Sequence, residues 1–157
     1  MLRKSAIAYL QELVDAYEEL ALRYELQKIK TIGDAFMATG GLLKPVPNPV
    51  LSAVQRGLEI VTIARRMPAR WDVRVGIHAG PVMAGVVGHR QYLFDVFGDT
   101  ANTAARVESH GVPGAVTVSA SAWQAVAERC RGESLGMVHV KGKGGMEIVR
   151  VDGLRGA

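Results

Sequence analysis

Hydrophobic and polar positions follow two different periods along the chain. In residues 5–25, and again from Val50 to Met67, apolar side chains recur at steps of three and four residues. This is the period of a helix that buries one face. Acidic side chains occupy the other faces of the first stretch. Both stretches are therefore predicted to be core-facing helices, and Pro68 is expected to end the second.

Shorter β-rich runs fill the rest of the chain. Residues 26–32 and 35–39 flank Gly33 and Asp34, which predicts a hairpin with Asp34 at or beside its turn. Further strands are predicted at 73–77, 83–87, 93–97 and 115–118, with a closing hairpin of strands at 137–140 and 147–151. Short helices are predicted at 101–109 and, from a capping box of Ser121 and Gln124, to about Cys130. Interleaved helices and strands indicate an α+β fold in which one sheet is covered by helices.

Composition supports one globular domain. The 157 residues are 48% hydrophobic and 22% charged, a balance that excludes a disordered chain. The 18 glycines follow no short period, so they indicate tight turns and close backbone packing rather than a fibrous repeat. Nineteen basic against 15 acidic residues give a net charge of +4. That charge suits a polyanionic ligand but is too small to indicate a nucleic-acid-binding protein.

The cysteine count and the apolar runs indicate the compartment. Cys130 is the single cysteine, which excludes an internal disulfide and a cysteine-rich zinc site and favours a reducing compartment. No apolar run reaches the roughly 18 residues of a membrane-spanning helix. The first residues lead into a charged helix and not into a signal-peptide core. A cytoplasmic protein without a membrane segment is expected.

Few residues carry a pattern that indicates chemistry. Asp34 is either an ordinary turn residue or a ligand of Mg²⁺, which prefers oxygen donors. Asn102 and Arg106 are four residues apart on a predicted helix, so they share a face that either is simply solvated or holds a sugar and a phosphate. The segment from Lys141 to Gly145 is either a basic turn or a loop that grips phosphate, and it lacks the Walker spacing. His78 ends an apolar strand and is interpreted as structural.

Taken in order, five segments resemble the catalytic domain of class III nucleotidyl cyclases. They are Lys28 to Met37, Val73 to Gly80, Gly85 to Gly88, Phe94 to Ser109 and Val140 to Gly144. The resemblance extends from about residue 9 to residue 151. It implies a ferredoxin-like core of the βαββαβ type, with active sites formed between two antiparallel subunits of a homodimer.

The resemblance also implies a role for individual residues. Lys30 and Asp95 match the positions that read the purine, and a Lys/Asp pair is similar to the adenine-selecting set, so the expected substrate is ATP. Asn102 resembles the residue that orients the ribose. Arg106 resembles the residue that stabilises the transition state at the α-phosphate.

Three further positions complete the implied site. Lys141 resembles a lysine that binds the triphosphate, and Arg90 resembles an arginine that contacts phosphate. Asp34 resembles the second of two aspartates that hold two Mg²⁺ or Mn²⁺ ions. The implied reaction is attack of the ribose 3′-oxygen on the α-phosphorus of ATP, with pyrophosphate leaving.

One part of the family pattern has no match in this sequence. The family's first strand carries the first metal-binding aspartate, and neither it nor the following helix is found, so an N-terminally truncated core with a gap in its sheet is expected. Asp15 is no easy substitute because it lies within a predicted helix. The chain is then a fragment of a longer cyclase, a non-catalytic relic, or a domain whose N-terminal residues rearrange. Any sensor domain is expected upstream.

Two functions follow from these matches. The first is an adenylyl cyclase catalytic domain, indicated by Lys30, Asp95, Asn102 and Arg106 together. The second is a module that binds nucleotide or dimerises without turnover, indicated by the unmatched metal aspartate. A nucleic-acid-binding module is a distant third, since no basic residues are interleaved with aromatic ones.

Overall fold

The structure is a computed structural model. It describes residue 23 and residues 26–32, 35–40, 46–68, 70–80, 83–87, 93–97, 99–140, 142 and 144–156. The predicted helix over residues 5–25 lies outside this part of the chain except for Arg23. The guanidinium of Arg23 donates a hydrogen bond of 3.3 Å to Glu59.

The predicted N-terminal hairpin is confirmed. Strand β1 (Leu26–Ile32) pairs antiparallel with strand β2 (Ala35–Gly40), so that Ile32 faces Ala35 and Leu26 faces Gly40. The register shifts by a β-bulge between Lys28 and Lys30. A bulge of this kind bends a strand and turns the residues beyond it.

The first described helix, α1 (Pro49–Arg66), has signals for both of its ends in the sequence. The side chain of Asn48 accepts a hydrogen bond of 3.1 Å from the backbone N–H of Leu51, and Pro49 occupies the first helical position. At the other end Met67 is extended, the conformation that a residue before proline favours. The predicted helix is therefore confirmed, together with its end at Pro68.

A four-stranded sheet forms the centre of the described fold. Its strands are β3 (Arg74–Ile77), β6 (Ala115–Ser119), β7 (Cys130–Val140) and β8 (Gly144–Leu154), in the spatial order β3-β6-β8-β7. Strands β3 and β6 are parallel, and the other neighbours are antiparallel. Among the described strands β3 bonds to β6 alone.

The hydrophobic core lies between this sheet and α1. Val116 faces Val151, and Val118 faces Val149, so all four side chains point to one side of the sheet. They pack with Val54 of α1, and each of the five is at most 5% exposed. Burial of such aliphatic side chains is the main force that holds the helix on the sheet.

The last predicted helix is shorter than expected and begins earlier. Helix α3 (Ala120–Gln124) is capped by Ser119, whose hydroxyl accepts a hydrogen bond of 3.3 Å from Ala122, so the expected capping box at Ser121 is wrong. Tight turns follow α3, and Cys130 already belongs to β7. The chain leaves the helix because β7 pairs with β8 over ten positions, from Cys130 opposite Leu154 to Val140 opposite Gly144.

The two strands predicted at 83–87 and 93–97 are confirmed, and they pair as a second hairpin that was not predicted. Strand β4 (Met83–Val87) pairs antiparallel with strand β5 (Leu93–Phe97), with Met83 opposite Phe97 and Val87 opposite Leu93. Strand β5 leads directly toward helix α2 (Asp99–Ser109), which packs against β3 and β6. The chain thus passes from Asp95 in β5 to Asn102 and Arg106 in α2.

Cys130 is fully buried in the core. Burial raises the pKa of its thiol, and the charges of Arg129 and Arg155 lower it in part. Because the thiolate is the reactive form, we expect a disulfide reagent at pH 8 to label the folded chain at least about tenfold more slowly than the chain in guanidinium chloride. Equal rates in the two states, measured by thiol titration, would contradict this packing.

Candidate functional site

Helix α2 presents Asn102 and Arg106 together at the protein surface. Its opposite face is buried through Thr100, Thr103 and Val107, whereas Asn102 and Arg106 are exposed. Their spacing of four residues places them one helical turn apart on the same face. The predicted shared face is therefore confirmed.

The exposed guanidinium of Arg106 is available to a ligand. Within the described residues its side chain has no hydrogen-bond or ion-pair partner, and the same holds for the amide of Asn102. The carbonyl of Arg106 accepts hydrogen bonds from the hydroxyl of Ser109 and from the backbone N–H of His110. These hydrogen bonds satisfy a carbonyl group in the last turn of the helix. A planar fork of N–H groups on a fixed helix suits a phosphate oxygen.

The two predicted base-reading residues lie on neighbouring strands. Lys30 is in β1 opposite Met37, and Asp95 is in β5 opposite Gly85. Strands β1 and β5 belong to different hairpins, yet they lie next to each other. The fold thus places side by side the two strands that carry these positions, which are 65 residues apart in the chain.

Three predicted site residues, Asp34, Arg90 and Lys141, lie outside the described residues. The hairpin turn beside Lys141 is described at Gly142 and Gly144, where φ is +82° and +70°. Residues other than glycine rarely adopt these left-handed values. The predicted glycine-rich turn is thus present, and its role toward phosphate remains a prediction.

The expected metal pair depends on residues of which only the sequence is known. In the described ranges no three His, Cys, Asp or Glu side chains lie close enough to hold a metal ion. Asp34 is the expected ligand, and its carboxylate is of the oxygen-donor type that Mg²⁺ and Mn²⁺ prefer. The two-ion site therefore stays a prediction from the sequence.

His78 has the structural surroundings that the sequence predicted. Its Nδ1 lies 2.7 Å from the hydroxyl of Ser119, which in turn lies 3.2 Å from the hydroxyl of Ser121. Ser119 is the residue that caps α3. The imidazole thereby links the end of β3 to the junction of β6 and α3.

Sequence reasoning missed the glycines that lie under α2. A Cβ atom on Gly76 would meet the backbone of Glu108, and one on Gly80 would lie 2.7 Å from the hydroxyl of Thr100. Two glycines four residues apart were visible in the sequence. Their partners could not be identified because Thr100 and Glu108 come 20 and 32 residues later, in another element.

None of the helices in the described part of the chain is both long and apolar enough to cross a membrane.

The chain matches the sequence profile of one family over nearly its whole length. Residues 3–153 match the adenylate and guanylate cyclase catalytic domain. The β-2 subunit of soluble guanylate cyclase from Rattus norvegicus is 40% identical over 151 residues, which cover 87% of this chain and 21% of that protein. An adenylate cyclase of Mycobacterium tuberculosis (strain ATCC 25618 / H37Rv) is 34% identical over 144 residues, which cover 89% of this chain and 32% of that protein.

A solved structure has the same fold. The guanylate cyclase domain of RhGC from Catenaria anguillulae, in complex with GTP, superimposes with a TM-score of 0.87 at 31% sequence identity. The match covers 97% of this chain and 86% of that domain. The chain thus spans about a fifth to a third of the two curated relatives and most of an isolated catalytic domain.

Proposed function

Since the chain belongs to the family of adenylate and guanylate cyclase catalytic domains, we propose that it converts ATP to 3′,5′-cyclic AMP and pyrophosphate. The observation that carries this proposal is the exposed pair of Asn102 and Arg106 on a helix whose other face is buried. An amide and a guanidinium held at this spacing fit a ribose and the phosphate attached to it.

The reaction exchanges one phosphorus–oxygen bond for another. The ribose 3′-hydroxyl gives up its proton to water, its oxygen bonds to the α-phosphorus, and the bond from that phosphorus to pyrophosphate breaks. Negative charge grows on the α-phosphate oxygens as this happens. The guanidinium of Arg106 would stabilise that charge, and the amide of Asn102 would hold the ribose in the orientation that the attack requires.

The preference for ATP rests on Lys30 and Asp95. Adenine offers an amino group that donates and a ring nitrogen that accepts. In the proposed site the carboxylate of Asp95 accepts from the amino group, and the ammonium of Lys30 donates to the ring nitrogen. Both adenylate and guanylate cyclases are among the relatives, so the proposal of ATP rests on these two residues and not on the family.

The remaining proposed contacts concern the triphosphate. Lys141 and Arg90 would neutralise its negative charge, and Asp34 would hold Mg²⁺ or Mn²⁺. Such ions supply charge stabilisation to the attacking and leaving oxygens when they are bound. Each of these assignments rests on the match between this sequence and the family pattern.

We expect the site to be shared between two copies of the chain, and mixing two variants tests this. Asp34→Ala and Asn102→Ala are each expected to be inactive. In a 1:1 mixture that exchanges subunits, about half of all dimers are heterodimers. Each heterodimer has one intact site out of two. About a quarter of the wild-type rate should therefore return.

Sedimentation or light scattering would verify that dimers form in the mixture. An Asn102→Ala chain mixed with itself is the control, because it has no intact site in any pairing. Verified heterodimers without recovered cyclase activity would contradict a shared site.

The alternative function is a module that binds nucleotide and dimerises without turnover. It is supported by the sequence, in which Asp34 is the one matched member of the expected metal-binding pair. In that case ATP would raise the Tm of the chain while no cyclic nucleotide formed. A chain that neither binds nucleotide nor associates with itself would contradict the alternative.

A further inference from the structure

We infer that Gly76 and Gly80 are positioning residues, which fix helix α2 on strand β3 and thereby place Asn102 and Arg106 for catalysis. This inference rests on the proposed function. Its physical basis is that α2 lies directly against both glycines, with the backbone of Glu108 against Gly76 and the side chain of Thr100 against Gly80. Close approach of this kind is possible only where glycine stands.

The contact at Gly76 is made with backbone. A Cβ atom added at Gly76 would meet the backbone nitrogen of Glu108 and lie 2.5 Å from its Cα and 2.6 Å from its Cβ. Backbone atoms within a helix cannot rotate away as the end of a long side chain can. Any larger residue at this position therefore has to push the C-terminal part of α2 away from the sheet.

The contact at Gly80 is made with a side chain at the other end of the helix. A Cβ atom there would lie 2.7 Å from the hydroxyl oxygen and 3.4 Å from the methyl carbon of Thr100. Thr100 is only 9% exposed and is branched at Cβ, so it has little room to change its rotamer. Removal of the Thr100 side chain beyond Cβ would create the missing space.

The two contacts together set both the direction and the position of the helix. Gly76 lies against Glu108 in the last turn of α2, and Gly80 lies against Thr100 in its first turn. The helix therefore runs antiparallel to β3 and is contacted near both of its ends. The guanidinium of Arg74 adds a hydrogen bond of 3.4 Å to the carbonyl of Ser109.

Each contact lies two residues from a proposed site residue. Thr100 precedes Asn102 by two positions, and Arg106 precedes Glu108 by two positions. If the helix shifts at Thr100 or at Glu108, the side chain of Asn102 or of Arg106 is therefore displaced by almost the same distance. A misplacement of about 1 Å can lower a catalysed rate by about a hundredfold.

The test begins with Gly80→Ala and its rescue. We expect kcat for cyclic nucleotide formation to fall at least about tenfold in Gly80→Ala, while KM for the nucleotide changes less than about threefold. Adding Thr100→Ala removes the atoms in conflict and should restore kcat to within about threefold of the Thr100→Ala single variant. Thr100→Val keeps atoms at both positions on Cβ, so it should not rescue.

Gly76→Ala should behave differently. Its conflict is with backbone, so a loss of about a hundredfold in kcat is expected, and Glu108→Ala should not restore it. Gly153→Ala is the matched control, because the added Cβ there meets only the tip of the exposed Arg131 side chain. Gly57→Ala crowds Val75 and Val116 on the opposite face of the sheet, so it controls for lost packing that does not involve α2.

Circular dichroism would show that each variant is folded at the assay temperature. Wild-type kcat in folded Gly80→Ala, or failure of Thr100→Ala to rescue it, would overturn the inference. If the wild-type chain makes no cyclic nucleotide, the proposed function fails separately. The contact is then judged by Tm alone. Gly80→Ala should lower Tm below that of the wild-type chain. The double variant should have nearly the Tm of the Thr100→Ala single variant. No recovery of Tm would overturn the contact itself.

Discussion

Replacing both proposed base-reading residues, Lys30→Glu together with Asp95→Asn, is expected to move the preference of the chain from ATP toward GTP. Guanine presents an oxygen acceptor where adenine has its amino group, and it carries N–H donors where adenine has a ring acceptor. The carboxylate of Glu at position 30 would accept from those donors, and the amide of Asn at position 95 would donate to the oxygen.

The size of this effect follows from the two contacts. A well-placed contact to a base edge discriminates by about 1–3 kcal/mol, so two contacts should change the ratio of kcat/KM values by about 10²–10⁴ in favour of GTP. The measurement is kcat/KM for both triphosphates. Lys28→Glu places the same change of charge two residues earlier on β1 and should leave the ratio unchanged. An unchanged ratio in the double variant would contradict the assignment of Lys30 and Asp95.

Removing the guanidinium of α2 by Arg106→Ala is expected to lower kcat by about 10²–10³, the usual cost of losing one preorganised donor to a developing charge. KM should change little, because the contact strengthens only as charge grows on the α-phosphate. Arg106→Lys keeps the charge but loses the planar fork, so it should retain an intermediate rate.

Arg66→Ala is the matched control for this loss. Arg66 is an exposed arginine in the last turn of α1, and α1 lies on the opposite face of the sheet from α2. Its removal should leave kcat within about twofold of the wild-type value. An Arg106→Ala enzyme with similar activity would show that the transition state is stabilised elsewhere.

The sequence predicted best the elements whose signals are local. The β1–β2 hairpin, strands β4 and β5 and helix α1 were predicted within one or two residues, because each has its own local pattern. The pairing of β4 with β5 was not predicted. Strand β7 was predicted only from residue 137 onward, although it begins at Cys130. Its first half is largely polar and exposed, so its strand conformation comes from pairing with β8 rather than from its own pattern.

The candidate site likewise has features that follow from local sequence and features that depend on the tertiary fold. The shared face of Asn102 and Arg106 follows from helical spacing alone, and in the structure both residues lie on helix α2. That the strands of Lys30 and Asp95 lie next to each other could be learned only from the tertiary fold, because these strands belong to separate hairpins. Ser119, rather than Ser121, caps α3. Its hydroxyl also lies 2.7 Å from Nδ1 of His78, which comes 41 positions earlier in the chain.

The most direct test of the proposed function is the formation of cyclic AMP from ATP and cyclic GMP from GTP by this 157-residue chain, with Mn²⁺ or Mg²⁺, over a series of protein concentrations. We expect cyclic AMP to exceed cyclic GMP, and its rate to rise faster than linearly with protein concentration while dimers are still forming. No product from either triphosphate at concentrations where dimers are verified, or more cyclic GMP than cyclic AMP, would contradict an adenylate cyclase site built on Lys30, Asp95, Asn102 and Arg106.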